Sequence, residues 1–148
     1  MITTVNPSSG APLETYAELD AAALDARLAA AVAAQARWSR RTFAERAKVL
    51  MAVAQRLQSA APALARSMAL EMGKPLAQGE AEVTKSAWVC RHYAEHAEAW
   101  LADEPVTVDT GSAAVVHAPL GVILGIMPWN YPLWQVLRFV APTGMAGN

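Results

Sequence analysis

The residues best placed to do chemistry lie near the C-terminal end of the chain. Pro128-Trp129-Asn130-Tyr131-Pro132 follows an apolar run, and its two prolines pin an Asn in a short loop. A rigid amide at the C-terminal end of a buried strand stands where α/β proteins place their ligands. It can donate a hydrogen bond to an oxygen that is gaining negative charge. An Asn here can equally serve only to stabilise the start of the next helix. Arg138, eight residues further on, is the only formal charge between Thr110 and Asn148. On a helix from Pro132 it shares a face with Trp134, with Tyr131 and Gln135 near the first turn. A lone guanidinium among apolar residues needs an anion, either an Asp or Glu elsewhere or a substrate carboxylate.

Three other patterns carry less. His92-Tyr93-Ala94-Glu95-His96 matches H-x-x-E-H, in which two His on one helix turn bind zinc. With Val83 at zero on a helical wheel, the two His fall at about 180° and 220°. They face away from the helix's apolar stripe, which suits a zinc pair or two exposed His. A third ligand is required, and the carboxylates that follow (Glu98, Asp103, Glu104, Asp109) lie on no convincing second helix. No metal is assigned. Cys90 falls inside the stripe, at about −20° on the same wheel, which makes it a buried thiol with a raised pKa rather than a nucleophile. Gly121, Gly125, Gly144 and Gly147 form neither G-x-G-x-x-G nor G-x-x-x-x-G-K-[ST], so no dinucleotide or phosphate fingerprint is present. Gly121 and Gly125 read as close-packing positions on a crowded strand.

The elements that must position these groups follow from periodicity and end signals. Residues 1–19 look irregular, with Pro7, Gly10 and Pro12 as turn residues. Asp20 is an N-cap for a first helix with the stripe Leu24, Leu28, Ala31 and Val32. Thr42-Phe43-Ala44-Glu45 is a capping box opening a second helix, with Phe43, Ala47, Leu50, Ala54 and Leu57 on one face. Pro62 starts a third helix carrying Leu64, Met68 and Met72, and Gly73 fits its left-handed cap. A fourth runs from about Gln78 to Leu101 with the stripe Val83, Ala87, Cys90, Ala94, Ala97 and Leu101. Val106–Val108 and Ala114–His117 alternate around Thr110-Gly111-Ser112, which predicts a hairpin. Gly121–Met127 reads as a strand buried on both faces, and Pro132 begins a last helix through about Thr143. A strand of that kind needs neighbours on both sides, so the chain is expected to be incomplete.

Composition bounds the function. The chain has 148 residues, of which 54% are hydrophobic and 17% charged, too apolar for a disordered chain. Twelve Lys and Arg against thirteen Asp and Glu leave a net charge of −1, with no basic excess for nucleic acid. A single cysteine excludes an internal disulfide framework and any all-cysteine metal cluster. The apolar C-terminal third is broken by Pro128, Asn130, Pro132, Gln135 and Arg138, so a membrane span is not expected. With no signal-peptide pattern at Met1–Pro7, a cytoplasmic location is expected.

Asn6-Pro7, Glu71-Met72-Gly73-Lys74-Pro75, and Pro119-Leu120-Gly121-Val122 leading into Pro128–Pro132 resemble, in order and spacing, the N-terminal part of the aldehyde dehydrogenase superfamily. The similarity covers essentially the whole chain. Lys85-Ser86-Ala87 with Cys90, Tyr93-Ala94-Glu95-His96, and Trp134-Gln135-Val136 with Arg138 look like its succinate-semialdehyde dehydrogenase branch.

The resemblance implies an α/β fold: helices, a hairpin arm, then the first strand and helix of an incomplete Rossmann-like parallel sheet. Residues 1–104 would be the helical part of the cofactor-binding domain, 105–118 an oligomerisation arm, and 119–148 the start of the sheet. It implies oxidation of an aldehyde, succinate semialdehyde above all, with NAD or NADP, in a homo-oligomer (dimer or tetramer). In that chemistry a Cys thiolate attacks the aldehyde, hydride passes to nicotinamide, and a Glu-activated water hydrolyses the thioester.

Asn130 matches the family's oxyanion-stabilising Asn. Ile126, Met127 and Trp129 match positions beside the cofactor. Tyr131, Trp134, Gln135 and Arg138 match the tunnel by which the aldehyde enters, Arg138 at the position that holds a distal carboxylate. The family's nucleophilic Cys, its Glu and its ribose-contacting Lys match nothing up to position 148. The chain is thus expected to be the front third of a larger enzyme, inactive alone and exposing apolar surface. The alternative is a short non-catalytic product that assembles with dehydrogenase subunits through the hairpin.

Overall fold

The first two helices start on residues whose side chains satisfy the free backbone groups there. In the computed structural model, which describes residues 1–148, α1 (Ala21–Trp38) follows Asp20, whose carboxylate accepts the Ala23 N–H at 2.7 Å. α2 (Phe43–Ser59) opens on the complete capping box. The Thr42 hydroxyl accepts the Glu45 N–H at 3.2 Å, and the Glu45 carboxylate accepts the Thr42 N–H at 2.8 Å. These bonds hold the Glu45 carboxyl below its ordinary pKa. α3 (Ala61–Met72) carries Pro62 in its first turn and ends on Gly73 at φ 72°, a conformation that glycine adopts without Cβ strain. α4 (Leu76–Trp100) and α5 (Pro132–Met145) complete the helices.

α4 is the axis of the core. It packs against α2, α3 and α5. Leu50, Ala54 and Leu57 of α2, Met68 of α3, and Ala141 and Met145 of α5 surround Val83, Ala87, Cys90 and Ala97. Gly79 sets the α3–α4 approach, since a Cβ there would come within 2.9 Å of the Ala65 Cα. α1 is tied on by its C-terminal end: the Trp38 indole donates to the Gly144 carbonyl at 2.8 Å, and the Gln35 amide to that of Gly147 at 3.0 Å. No helix is long and apolar enough to cross a membrane.

Four expectations are corrected. Residues 1–19 are not irregular: β1 (Ile2–Val5) pairs antiparallel with β2 (Pro12–Tyr16). Asn6 accepts the Ser8 N–H on its side chain, and Gly10 takes φ 73° to close the turn. The α1 stripe does not meet the core, for α1 has no buried residue and Leu24, Leu28 and Val32 are exposed. The second hairpin pairs β3 (Glu104–Val106) with β4 (Ala113–Val115), so its turn takes in more of the chain than Thr110–Ser112. It projects from the helices with both faces exposed.

Finally, Gly121–Met127 joins no ladder, and Leu124 and Ile126 are exposed. A strand is made by its neighbours' hydrogen bonds, and none of these residues supplies them. The parallel sheet is therefore absent from this stretch, which is a helical body with two antiparallel hairpins. The segment is held instead by Asn148, whose side-chain oxygen accepts the Leu120 and Gly121 N–H groups at 2.7 and 3.3 Å.

Candidate functional site

The loop Pro128–Pro132 rests on a buried ion pair, Lys74–Glu82, to which the sequence reading gives no role. Gly73 ends α3 in the left-handed conformation, and the Lys74 N–H closes onto the Met68 carbonyl at 3.4 Å. This turn delivers Lys74 to the interior beneath the loop. Glu82, in the second turn of α4, meets it there; their side chains are only 5% and 1% exposed. Both ions have further partners, as buried charges require. Lys74 Nζ donates to the Asn130 carbonyl at 3.1 Å and lies 3.8 Å from the centre of the Tyr131 ring. The second oxygen of Glu82 accepts the Leu133 and Trp134 N–H groups at 2.9 and 3.0 Å. The start of α5 is thus capped by a carboxylate from another helix, which also suits the positive end of the helix dipole.

These contacts bear on the helix-entry role open to Asn130. Tyr131, the residue at the N-cap, contributes no side-chain cap, and the first-turn amides are taken by Glu82. The Asn130 side chain is exposed and makes no hydrogen bond within the chain, while its backbone carbonyl is fixed by Lys74. A held backbone with an unengaged amide is the arrangement an oxyanion donor needs.

Asn130 opens onto a groove of about 610 Å³ between the loop, α4 and α5, which Tyr131, Trp134, Gln135 and Lys85 also line. Lys85 places its ammonium 4.0 Å from the centre of the Trp134 ring. A second groove of about 520 Å³ shares Trp134 and Gln135 with the first, and adds Arg138, Met127, Trp88 and His92. The structure therefore brings together Asn130, Tyr131, Trp134 and Gln135, with Arg138 and Met127 one groove along. Ile126 and Trp129 line neither groove; Ile126, just before the loop, and Trp129, within it, are 86% and 75% exposed.

Arg138 is itself exposed, so burial does not force a partner on it, contrary to the apolar wall that the sequence suggests. Neither Arg138 nor Lys85 has an acidic partner, because the two ion pairs of the molecule are Met1–Glu18 and Lys74–Glu82. Both cations remain available to an anion.

The other patterns resolve into packing. His92 and His96 lie in a ladder of rings along α4, with Trp88 stacked on His92 at 5.0 Å and Trp100 on His96 at 5.4 Å. The His96 ring engages the His92 carbonyl, and no group of three metal-ligating side chains is assembled. Cys90 is 1% exposed, and burial pushes its thiol pKa up; it is part of the core.

The sequence pattern of the aldehyde dehydrogenase family matches residues 1–148. A probable NADP(+) succinate-semialdehyde dehydrogenase of Synechocystis is 44% identical over 147 residues, which are 99% of this chain and 32% of that protein. The NADP(+) succinate-semialdehyde dehydrogenase 1 of Mycobacterium tuberculosis is 45% identical over 150 residues, 99% of this chain and 33% of that one. Among solved structures, succinic semialdehyde dehydrogenase of Streptococcus pyogenes in complex with NADP+ superposes with a TM-score of 0.93 at 30% identity. That match covers 99% of this chain and 32% of the other. The chain spans about a third of the length of the curated relatives it matches.

Proposed function

Because the chain belongs to the aldehyde dehydrogenase family, we propose that it is the N-terminal part of an enzyme oxidising succinate semialdehyde to succinate with NADP. One observation carries this reading: an unengaged Asn130 amide, on a loop clamped from beneath, opens onto a groove lined by Lys85 and adjoining the groove that holds Arg138, and neither cation has an acidic partner. The names of the relatives supply the substrate and the cofactor.

In this mechanism the Asn130 amide donates to the aldehyde oxygen as attack at carbon turns it into an oxyanion. Tyr131, Trp134 and Gln135 line the approach and exclude water from it. Arg138 holds the distal carboxylate through charge-assisted hydrogen bonds. Ile126, Met127 and Trp129 offer an apolar wall, and the exposure of Ile126 and Trp129 fits the flat face of a nicotinamide ring. When bound, the cofactor supplies the hydride acceptor.

Cys90, the only cysteine here, is sealed in the core and does not serve as the attacking thiolate on this reading. The 148 residues alone are inactive on this reading. The exposed β3–β4 hairpin fits an arm by which subunits of a homo-oligomer join.

The test is Arg138→Leu in the complete enzyme, assayed with succinate semialdehyde and with butanal. Loss of a charged hydrogen bond is worth about 1.5–3 kcal/mol, or about 10- to 150-fold. KM for succinate semialdehyde is expected to rise by that factor while butanal kinetics stay within about twofold. Equal loss for both substrates overturns the carboxylate assignment.

A further inference from the structure

We propose that Lys74 and Glu82 are positioning residues for Asn130, acting as one unit that aims its amide at the reacting oxygen. The inference rests on the reading of Asn130 as the oxyanion donor. A buried ion pair is weak evidence for stability, because desolvating two charges offsets their attraction and a neutral pair of similar volume serves as well. The distinctive feature of this pair is where its remaining bonds go. Lys74 holds the Asn130 carbonyl and faces the Tyr131 ring, and Glu82 holds the Leu133 and Trp134 amides. Every one of these partners lies within residues 130–134.

Two proline rings restrict the loop at Pro128 and Pro132, which leaves the plane of the peptide following Asn130 to be set. Lys74 sets that plane, and Glu82 anchors the helix that continues from it. The side chain left unengaged by this clamp is that of Asn130. Displacement of a catalytic group by about 1 Å can lower a rate about 100-fold, so holding the backbone from beneath has a direct kinetic consequence.

The experiment is a double-mutant cycle in the complete enzyme between Asn130→Ala and the neutral pair K74M/E82Q. In that pair the glutamine amide still offers an oxygen to the α5 N–H groups, whereas the methionine thioether has no proton to donate to the Asn130 carbonyl. Asn130→Ala alone is expected to lower kcat about 100- to 1,000-fold. K74M/E82Q is expected to lower kcat about 10- to 100-fold with KM for aldehyde and NADP within about twofold. In the Asn130→Ala background the same pair change is expected to have no further effect on kcat.

An equal loss from the pair change in both backgrounds overturns the proposal, because the pair would then act on the oxyanion or the fold independently of Asn130. An unchanged kcat in K74M/E82Q overturns it as well. If Asn130→Ala leaves kcat intact, the reading of Asn130 itself fails, an outcome distinct from the other two. Should K74M/E82Q not fold, Glu82→Asp takes its place. It keeps both charges but shortens the reach to α5, with the same expected and overturning results.

Discussion

Asn130 stands at the start of a helix, where an Asn side chain ordinarily turns back onto the backbone; here it does not, because Glu82 already accepts the Leu133 and Trp134 amides. The sequence makes the loop legible through Pro128, Pro132 and the distance to Arg138, but it leaves the role of Asn130 open. That ambiguity has a physical source: which group caps α5 depends on a carboxylate brought in by tertiary packing. Lys74 carries a faint local signal, since a left-handed glycine cap redirects the residue after it. Glu82 sits beside the apolar stripe of α4 and would be read as solvated on any wheel. Cys90 is legible for the opposite reason, since its position within the stripe is sufficient to bury it. With its pKa raised by burial, little thiolate forms near neutral pH and what forms is inaccessible. Alkylation of the folded enzyme at about pH 8, just below the ordinary thiol range and mapped by mass spectrometry, is expected to leave Cys90 unmodified until denaturant is added. Modification at the rate of an exposed thiol would place it outside the core.

Among the elements, helices are legible and pairings are not. Helix faces and caps are written locally, so α1 to α5 begin and end within a few residues of their signals. Even so, the buried arc of α4 is wider than its stripe. Glu82, Ser86 and Val89 are buried too, although they lie about 100°, 60° and 120° to one side of Val83. α4 touches α2, α3 and α5, and no single narrow stripe describes a helix packed against three neighbours. The β1–β2 hairpin escapes a reading by pattern for lack of an apolar face, as its strands are almost wholly exposed. The α2 cap gives the element-scale prediction. Its folded Glu45 carboxyl titrates below its unfolded value near pH 4.3. The stabilisation is therefore present above that pH and is lost as pH falls through the lower folded value. Denaturation midpoints of the enzyme and its Glu45→Ala variant are expected to differ near neutral pH and to converge below about pH 4. A gap that stays constant to well below that pH would mean that the cap does not depend on the charge.

At the scale of the whole molecule, apolar surface is left facing outward in several places, of which two bear on the fold. One is the α1 stripe of Leu24, Leu28 and Val32; the other is the segment holding Leu120, Leu124 and Ile126, which are 91%, 82% and 86% exposed. Single exposed apolar residues are ordinary, but a contiguous run of large ones marks a contact surface. The run 121–127 has the sequence pattern of a buried strand, and the structure gives the same residues no partners. Both follow if the pattern of a strand records neighbours that lie outside residues 1–148, since an apolar, β-branched run describes what packs on a strand rather than the strand itself. The two situations call for opposite behaviour from one substitution. In the isolated 148-residue chain, Leu124→Ser with Ile126→Ser removes exposed apolar surface, so sedimentation is expected to shift from associated species toward 15.7 kDa monomer. In the complete enzyme the same pair replaces two buried side chains, each worth about 1.5–3 kcal/mol, and is expected to lower the thermal midpoint by several degrees. If the complete enzyme melts unchanged, the segment is no strand of a larger sheet, and its apolar pattern would need an occupant other than neighbouring strands.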